Sequence, residues 1–139
     1  MQTQSFMVDV PGGQVFVQRW QPASATSGAA CPIVLLHESL GSVGQWHDFP
    51  ARLAQATGRE VLAYDRLGFG QSSPRSDAPS LQFIAHEAQQ HFPALVAALG
   101  LERYALLGHS VGAVMALHIA AAHPAQCQAV LSLSAQAYV

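Results

Sequence analysis

The pentapeptide GHSVG at 108–112 constrains the fold of this chain more than any other segment. It follows the apolar run 104–107 and precedes an apolar segment, 111–122, with helical spacing. A sharp strand-to-helix turn drives its central residue toward positive φ and presses the residues two before and two after it against neighbouring backbone. Glycine at both of those places avoids the clash that a Cβ would cause. The segment predicts that the Ser110 hydroxyl projects from a sheet and that the Val111 N–H, at a helix N-terminus, is placed to hold an oxyanion.

Short apolar runs alternate with helically spaced segments along most of the chain. Runs that are apolar on both faces are typical of a parallel sheet covered by helices on both sides. Ahead of them, two alternating segments flank Pro11-Gly12-Gly13 and predict an antiparallel hairpin. The chain is therefore predicted to be α/β, a three-layer sandwich with a mostly parallel sheet, forming one domain over 1–139 that ends after about the sixth strand. Pro93 predicts a kink in the second helix, and 22–30 predicts a surface loop. The predicted strands are 5–10, 14–20, 33–36, 61–64, 104–107 and 129–133, and the predicted helices are 46–56, 81–99 and 111–122.

Composition excludes several classes of function. Only 10% of the 139 residues are charged, the net charge is −2 and no basic run occurs, so we expect no nucleic-acid partner. The absence of an 18-residue apolar stretch predicts no membrane span. An N-terminus without a basic start or an apolar run favours a cytoplasmic location. Cys31 and Cys127 are expected as reduced thiols. His86 and His91 lie on different faces of a predicted helix, so no metal site is predicted, and without a dinucleotide fingerprint we expect no cofactor.

Two further loops extend the pattern around the pentapeptide. HESLGS at 37–42 follows the run 33–36 and is itself followed by Trp46, and DRLGFGQS at 65–72 follows the run 61–64. With the pentapeptide, in this order and at these spacings, they resemble the α/β-hydrolase fold family. The resemblance covers about the first half of such a protein, and it is closest to serine hydrolases of the esterase and C–C-hydrolase kind.

The resemblance implies a role for each loop. Ser110 is the catalytic nucleophile, the N–H groups of Ser39 and Val111 form the oxyanion hole, and Asp65 belongs to a structural turn rather than to a catalytic triad. Glu38 stands where the family usually has glycine, and it is either a solvent-facing loop residue or a contact to substrate or water. The strand-to-helix turn at 108–112 is the elbow of such a fold. Structural roles in the elbow and in the loop 37–42 are expected for His37, Gly108, His109 and Gly112.

The other members of a triad do not follow Ser110. No Asp or Glu comes after it, and His118 and His123 lie on or just after the predicted helix behind it, whereas the hydrolase fold has the order Ser, acid, His. We therefore expect a truncated serine hydrolase, lacking the lid and later strands, whose parent cleaves a carboxylic ester or a related acyl or C–C bond of a small molecule. The alternative is a natural short chain, either completed by another chain or acting as a non-catalytic binding module. The strand at 129–134 would be an open apolar edge, so we expect self-association through it.

Overall fold

The computed structural model of the chain describes residues 1–24, 30–78 and 80–136. Six strands form one sheet in the order β1-β2-β4-β3-β5-β6. The pairs β1–β2 and β2–β4 are antiparallel, whereas β4, β3, β5 and β6 run parallel. This confirms the mostly parallel sheet with an N-terminal hairpin. The strands are β1 (Gln2–Val10), β2 (Gly13–Gln21), β3 (Ile33–Leu36), β4 (Val61–Tyr64), β5 (Tyr104–His109) and β6 (Cys127–Leu133).

The helices lie in the connections between the parallel strands. After β3 come a 3-10 helix (Val43–Trp46) and α1 (Phe49–Thr57); after β4 come α2 (Phe83–His86), a π-helical turn (Glu87–His91) and α3 (Phe92–Leu99); after β5 comes α4 (Val111–Ala122). The helices on the two faces make the three layers that the sequence predicts.

Two predicted helices differ from the observed ones. The predicted helix 46–56 is wrong at its start. The 3-10 helix ends at Trp46, and His47, with φ 51°, then turns the chain before α1 begins. The predicted helix 81–99 is interrupted, as expected, but by a π-helical turn that ends two residues before Pro93, which has no N–H for the regular ladder. Of the predicted loop 22–30, residues 25–29 lie outside the described part of the chain.

Two apolar clusters, one on each face of the sheet, hold the layers together. Phe92 and Met115 belong to the cluster under α3 and α4, and Ala54 of α1 belongs to the other. Neighbouring residues of one strand face opposite clusters, as Leu35 and Leu36 do, because side chains alternate along a strand. This is why β3, β4 and the first four residues of β5 are apolar at every position.

Strand β6 is one edge of the sheet. Val130 packs against the α4 side of the core, whereas Leu131 and Leu133 are 53% and 40% exposed. No charged residue occurs between Pro124 and Gln136, although charges are a common way of blocking an exposed edge. None of the helices in the described ranges is long and apolar enough to cross a membrane.

Candidate active site

The strand-to-helix turn at Ser110 is strained. Strand β5 ends at His109 and α4 begins at Val111, and Ser110 between them has φ 56° and ψ −118°. A side chain in such a sparsely populated region costs about 1–3 kcal/mol and persists only where its surroundings enforce it. One enforcing contact is the hydrogen bond from the Ser110 N–H to the Leu133 carbonyl, at 2.9 Å. The elbow is therefore fixed both to its own helix and to β6.

Gly108 and Gly112 allow the chain to approach itself closely. A Cβ on Gly108 would overlap the Gly112 carbonyl and lie 2.6 Å from the Ala113 nitrogen. A Cβ on Gly112 would overlap the Leu36 carbonyl oxygen and lie 2.6 Å from the His37 carbonyl oxygen. Only glycine fits at either position, and the start of α4 consequently packs directly against the end of β3.

The carboxyl ends of β3, β4 and β5 meet at one edge of the sheet, so their loops share one site. His37, directly after β3, is buried. Its Nε2 accepts the Arg66 N–H at 3.1 Å, which leaves the proton on Nδ1, 2.8 Å from the Glu38 carbonyl oxygen. Burial and the nearby Arg66 charge lower the pKa of His37 to about 4. His37 is therefore neutral at ordinary pH, and its ring bonds to the backbone of the neighbouring loops.

Arg66 holds the His37 loop in place, a role that sequence reasoning missed. Its Nη1 donates to the His37 carbonyl at 2.6 Å and its Nη2 donates to the Glu38 carbonyl at 2.9 Å. The guanidinium carbon lies 4.8 Å from the centre of the Phe69 ring. Burial lowers the pKa of Arg66, yet the charge-assisted hydrogen bonds compensate for the lost hydration. The available signal was an arginine at the end of a buried strand in a chain with only six basic residues.

Asp65 is committed to loop structure. Its carboxylate accepts the Val43 N–H at 2.6 Å and the Gln71 N–H at 2.8 Å, and the side chain is buried. It thereby ties the 3-10 helix to the glycine-rich turn after β4. This geometry agrees with the structural role expected for Asp65.

Ser39 and Val111 lie on the two segments that meet at the elbow. Ser39 is a central residue of a tight turn closed by the Gly41 N–H on the Glu38 carbonyl, at 3.2 Å. It lines a cavity of about 500 Å³, together with Met115 of α4. Val111 is the first residue of α4, where backbone N–H groups have no partner inside the helix. Neither N–H is among the donors of the backbone hydrogen bonds found in the loops and turns of the described ranges.

Glu38 and His109 come together beside the elbow. The Glu38 Oε2 lies 3.6 Å from the His109 Nδ1, and both side chains are less than half exposed, at 44% and 43%. Glu38 does not need the positive φ that glycine would allow, since the non-glycine residues at positive φ in the described ranges are His47, Ser110 and Ser134. The departure from the family pattern therefore leaves the loop without positive φ at Glu38 and adds a carboxylate beside His109.

The described residues supply no general base to Ser110. His118 is exposed on α4, and the His123 Nε2 lies 3.0 Å from the Ala88 carbonyl, next to the π-helical turn. Of the histidines that form hydrogen bonds in the described ranges, His37 and His123, neither reaches Ser110. The same ranges hold no cluster of three or more His, Cys, Asp or Glu side chains suited to a metal ion.

Comparison with known proteins identifies the family. The model of the alpha/beta hydrolase fold matches residues 32–139. The chain belongs to this family. It is 33% identical over 101 residues to proline iminopeptidase of Lactobacillus delbrueckii subsp. lactis, covering 70% of this chain and 34% of that protein. It is 36% identical over 107 residues to the candidate carbamate hydrolase RutD of Escherichia coli O1:K1 / APEC, covering 76% of this chain and 38% of that protein.

A solved structure extends the comparison to nearly the whole of this chain. The crystal structure of proline iminopeptidase from Mycobacterium smegmatis superposes with a TM-score of 0.82 at 32% identity, covering 96% of this chain and 44% of that one. The chain thus spans between a third and a half of the length of the relatives that it matches. The part of the alpha/beta hydrolase fold that this chain covers is the part that contains the elbow.

Proposed function

We propose that this chain is the nucleophile-bearing part of a serine hydrolase that cleaves a carboxylic ester or a related acyl or C–C bond of a small molecule, and that it is inactive alone. The strained Ser110, at φ 56° between two glycines that cannot carry a Cβ, carries the proposal. A fold rarely keeps such strain without a use for it. The similar proteins named as a peptidase and a carbamate hydrolase extend the candidate substrates to amides and carbamates.

The proposed mechanism begins at the Ser110 hydroxyl. Its Oγ attacks the substrate carbonyl carbon while its proton passes to a histidine base from the rest of the protein, which an acid orients. The N–H groups of Val111 and Ser39 stabilise the oxyanion of the tetrahedral intermediate, and the helix N-terminus adds its positive dipole end. His37 and Arg66 take no part in proton transfer; they position the Ser39 turn.

A fluorophosphonate probe tests the proposal, because it reacts only with an activated serine. The longer protein that contains this chain should be labelled, and Ser110→Ala should abolish the labelling. Ser5→Ala, on the exposed strand β1, is the matched control and should leave labelling unchanged. Failure to label the folded, full protein would contradict the serine hydrolase and would favour the second candidate.

The second candidate is a non-catalytic binding module with a hydrolase fold. It is favoured by the lack of any base bonded to Ser110 in the described ranges. A module would keep ligand binding without labelling. A chain that is naturally short would act this way, or would need a partner chain to supply the histidine and the acid.

A further inference from the structure

A second cavity borders the elbow, between the loop after β3 and the end of β5. It has a volume of about 290 Å³, and its lining includes Glu38, Gln45, Trp46 and His109. His109 directly precedes Ser110 in the chain, so the cavity lies at the strand-to-helix turn that carries the proposed nucleophile. Neither lysine nor arginine lines it, and Glu38 is its one acidic side chain.

The backbone of Glu38 is held firmly, which fixes where its carboxylate is presented. The Glu38 carbonyl accepts hydrogen bonds from the Arg66 Nη2 at 2.9 Å and from the Gly41 N–H at 3.2 Å. The side chain folds over Gly41, because a Cβ there would lie only 2.9 Å from the Glu38 Cγ and 3.1 Å from the Gln45 Oε1. Glycine at 41 therefore leaves room for the Glu38 and Gln45 side chains, which both line the cavity.

The carboxylate still has hydrogen-bonding capacity. Its distance of 3.6 Å to the His109 Nδ1 is too long for a good hydrogen bond, and the side chain is 44% exposed. The indole of Trp46, stacked on the Phe49 ring with centres 5.8 Å apart, forms an aromatic wall of the same cavity. A carboxylate, an amide oxygen and an indole face are the groups that attract a positively charged nitrogen.

We propose that this cavity is a subsite for an ammonium group, and that substrates of Ser110 carry a primary amine close to the carbonyl that is attacked. The ammonium lies against Glu38 and the Trp46 ring. The assignment to substrate rests on the proposed serine hydrolase function, whereas the binding preference itself does not require catalysis. Glu38 is then a specificity-determining residue rather than a solvent-facing one.

Binding of benzylammonium chloride to the 139-residue chain tests the subsite, with benzyl alcohol as the neutral probe of the same size and with ionic strength matched by NaCl. Trp46 fluorescence reports occupancy, and Trp46→Phe checks that it is the source of the signal. Because the carboxylate is partly exposed, we expect benzylammonium to bind about three to ten times more tightly than benzyl alcohol. Glu38→Gln should remove the difference, and Asp48→Asn, an exposed carboxylate paired with Arg52, should keep it.

Equal affinities of the two probes for the unaltered chain would overturn the subsite, as would a preference that survives Glu38→Gln. Circular dichroism of each variant separates misfolding from lost recognition. Fluorophosphonate labelling of the longer protein distinguishes the two proposals. Labelling without an ammonium preference overturns the subsite alone, whereas an ammonium preference without labelling overturns the hydrolase and with it the assignment of the amine to a substrate of Ser110.

Discussion

Replacing Gly112 by alanine probes the contact on which the elbow is built. The added Cβ would overlap the Leu36 carbonyl oxygen and lie 2.6 Å from the His37 carbonyl oxygen, and its three nearest atoms all belong to the backbone. Backbone carbonyls cannot rotate away as a side chain can, so α4 must move away from β3. Inserting a methyl group into a well-packed interior costs about 1–3 kcal/mol, and contact with fixed backbone puts Gly112→Ala at or above the top of that range, about 3 kcal/mol.

Two other glycines separate this packing effect from backbone strain. At Gly44 a Cβ would meet only the Ser42 Oγ, at 3.7 Å, so Gly44→Ala should change stability by less than about 0.5 kcal/mol. At Gly100 a Cβ would meet nothing within 4 Å, but φ is 67°, so Gly100→Ala should cost about 1–2 kcal/mol through strain alone. Gly112→Ala should exceed both.

Urea unfolding followed by circular dichroism measures the three free energies on the 139-residue chain. A loss of about 3 kcal/mol should also lower Tm by roughly 10 °C. In the longer protein, Gly112→Ala should reduce fluorophosphonate labelling, because a displaced α4 moves the Val111 N–H away from Ser110. If Gly112→Ala were as stable as Gly44→Ala, the close approach of α4 to β3 described above would be refuted.

Three further results are expected. Ser110→Gly should raise the free energy of unfolding in urea by about 1 kcal/mol by relieving strain, and a loss of stability would contradict that strain. As pH falls from 6.5 to 4, the free energy of unfolding should fall by up to about 3 kcal/mol. The unfolded chain protonates His37 at its ordinary pKa of 6.5, whereas burial holds the pKa in the folded chain at about 4. An equally steep fall in the His37→Gln variant would refute this. We propose that the isolated chain self-associates through β6. Leu131→Lys should therefore shift its sedimentation toward the monomer, whereas Gln4→Lys on the opposite edge strand should not. Sedimentation of the unaltered chain as a monomer would contradict the proposal.

The sheet and the elbow were predictable because their signals are local. A strand that is buried on both faces must be apolar at every position, and β3, β4 and the start of β5 satisfy this. The positive φ of Ser110 was predictable because glycines stand two residues before it and two residues after it. The bounds of β6 were less accurate: it begins at Cys127 rather than 129, because an irregular register opposite Tyr104 extends its pairing.

The features that sequence reasoning missed depend on residues far apart in the chain. Arg66, after β4, reaches the His37 and Glu38 carbonyls at the end of the neighbouring strand β3, and no spacing rule connects them. The break between the 3-10 helix and α1 requires His47 at φ 51°. A histidine in the sequence does not predict this conformation. For Glu38, the sequence favoured a solvent-facing residue over a contact to substrate or water, since its distance to His109 is set by the packing of β3 against β5.

Arg66 explains how a loop with a glutamate in place of glycine can serve an elbow that tolerates little error. Burying a guanidinium is costly unless its donors are satisfied, and here two of them go to the consecutive carbonyls of His37 and Glu38. Those bonds require the 37–38 backbone to have one conformation, which also fixes the turn that carries Ser39. The two hydrogen bonds of Arg66 therefore help to position both the proposed oxyanion donor, the Ser39 N–H, and the Glu38 carboxylate. Oxyanion stabilisation and recognition of an ammonium group would then depend on a single buried charge, so substitution of Arg66 should impair both together, whereas Glu38→Gln should impair only the second.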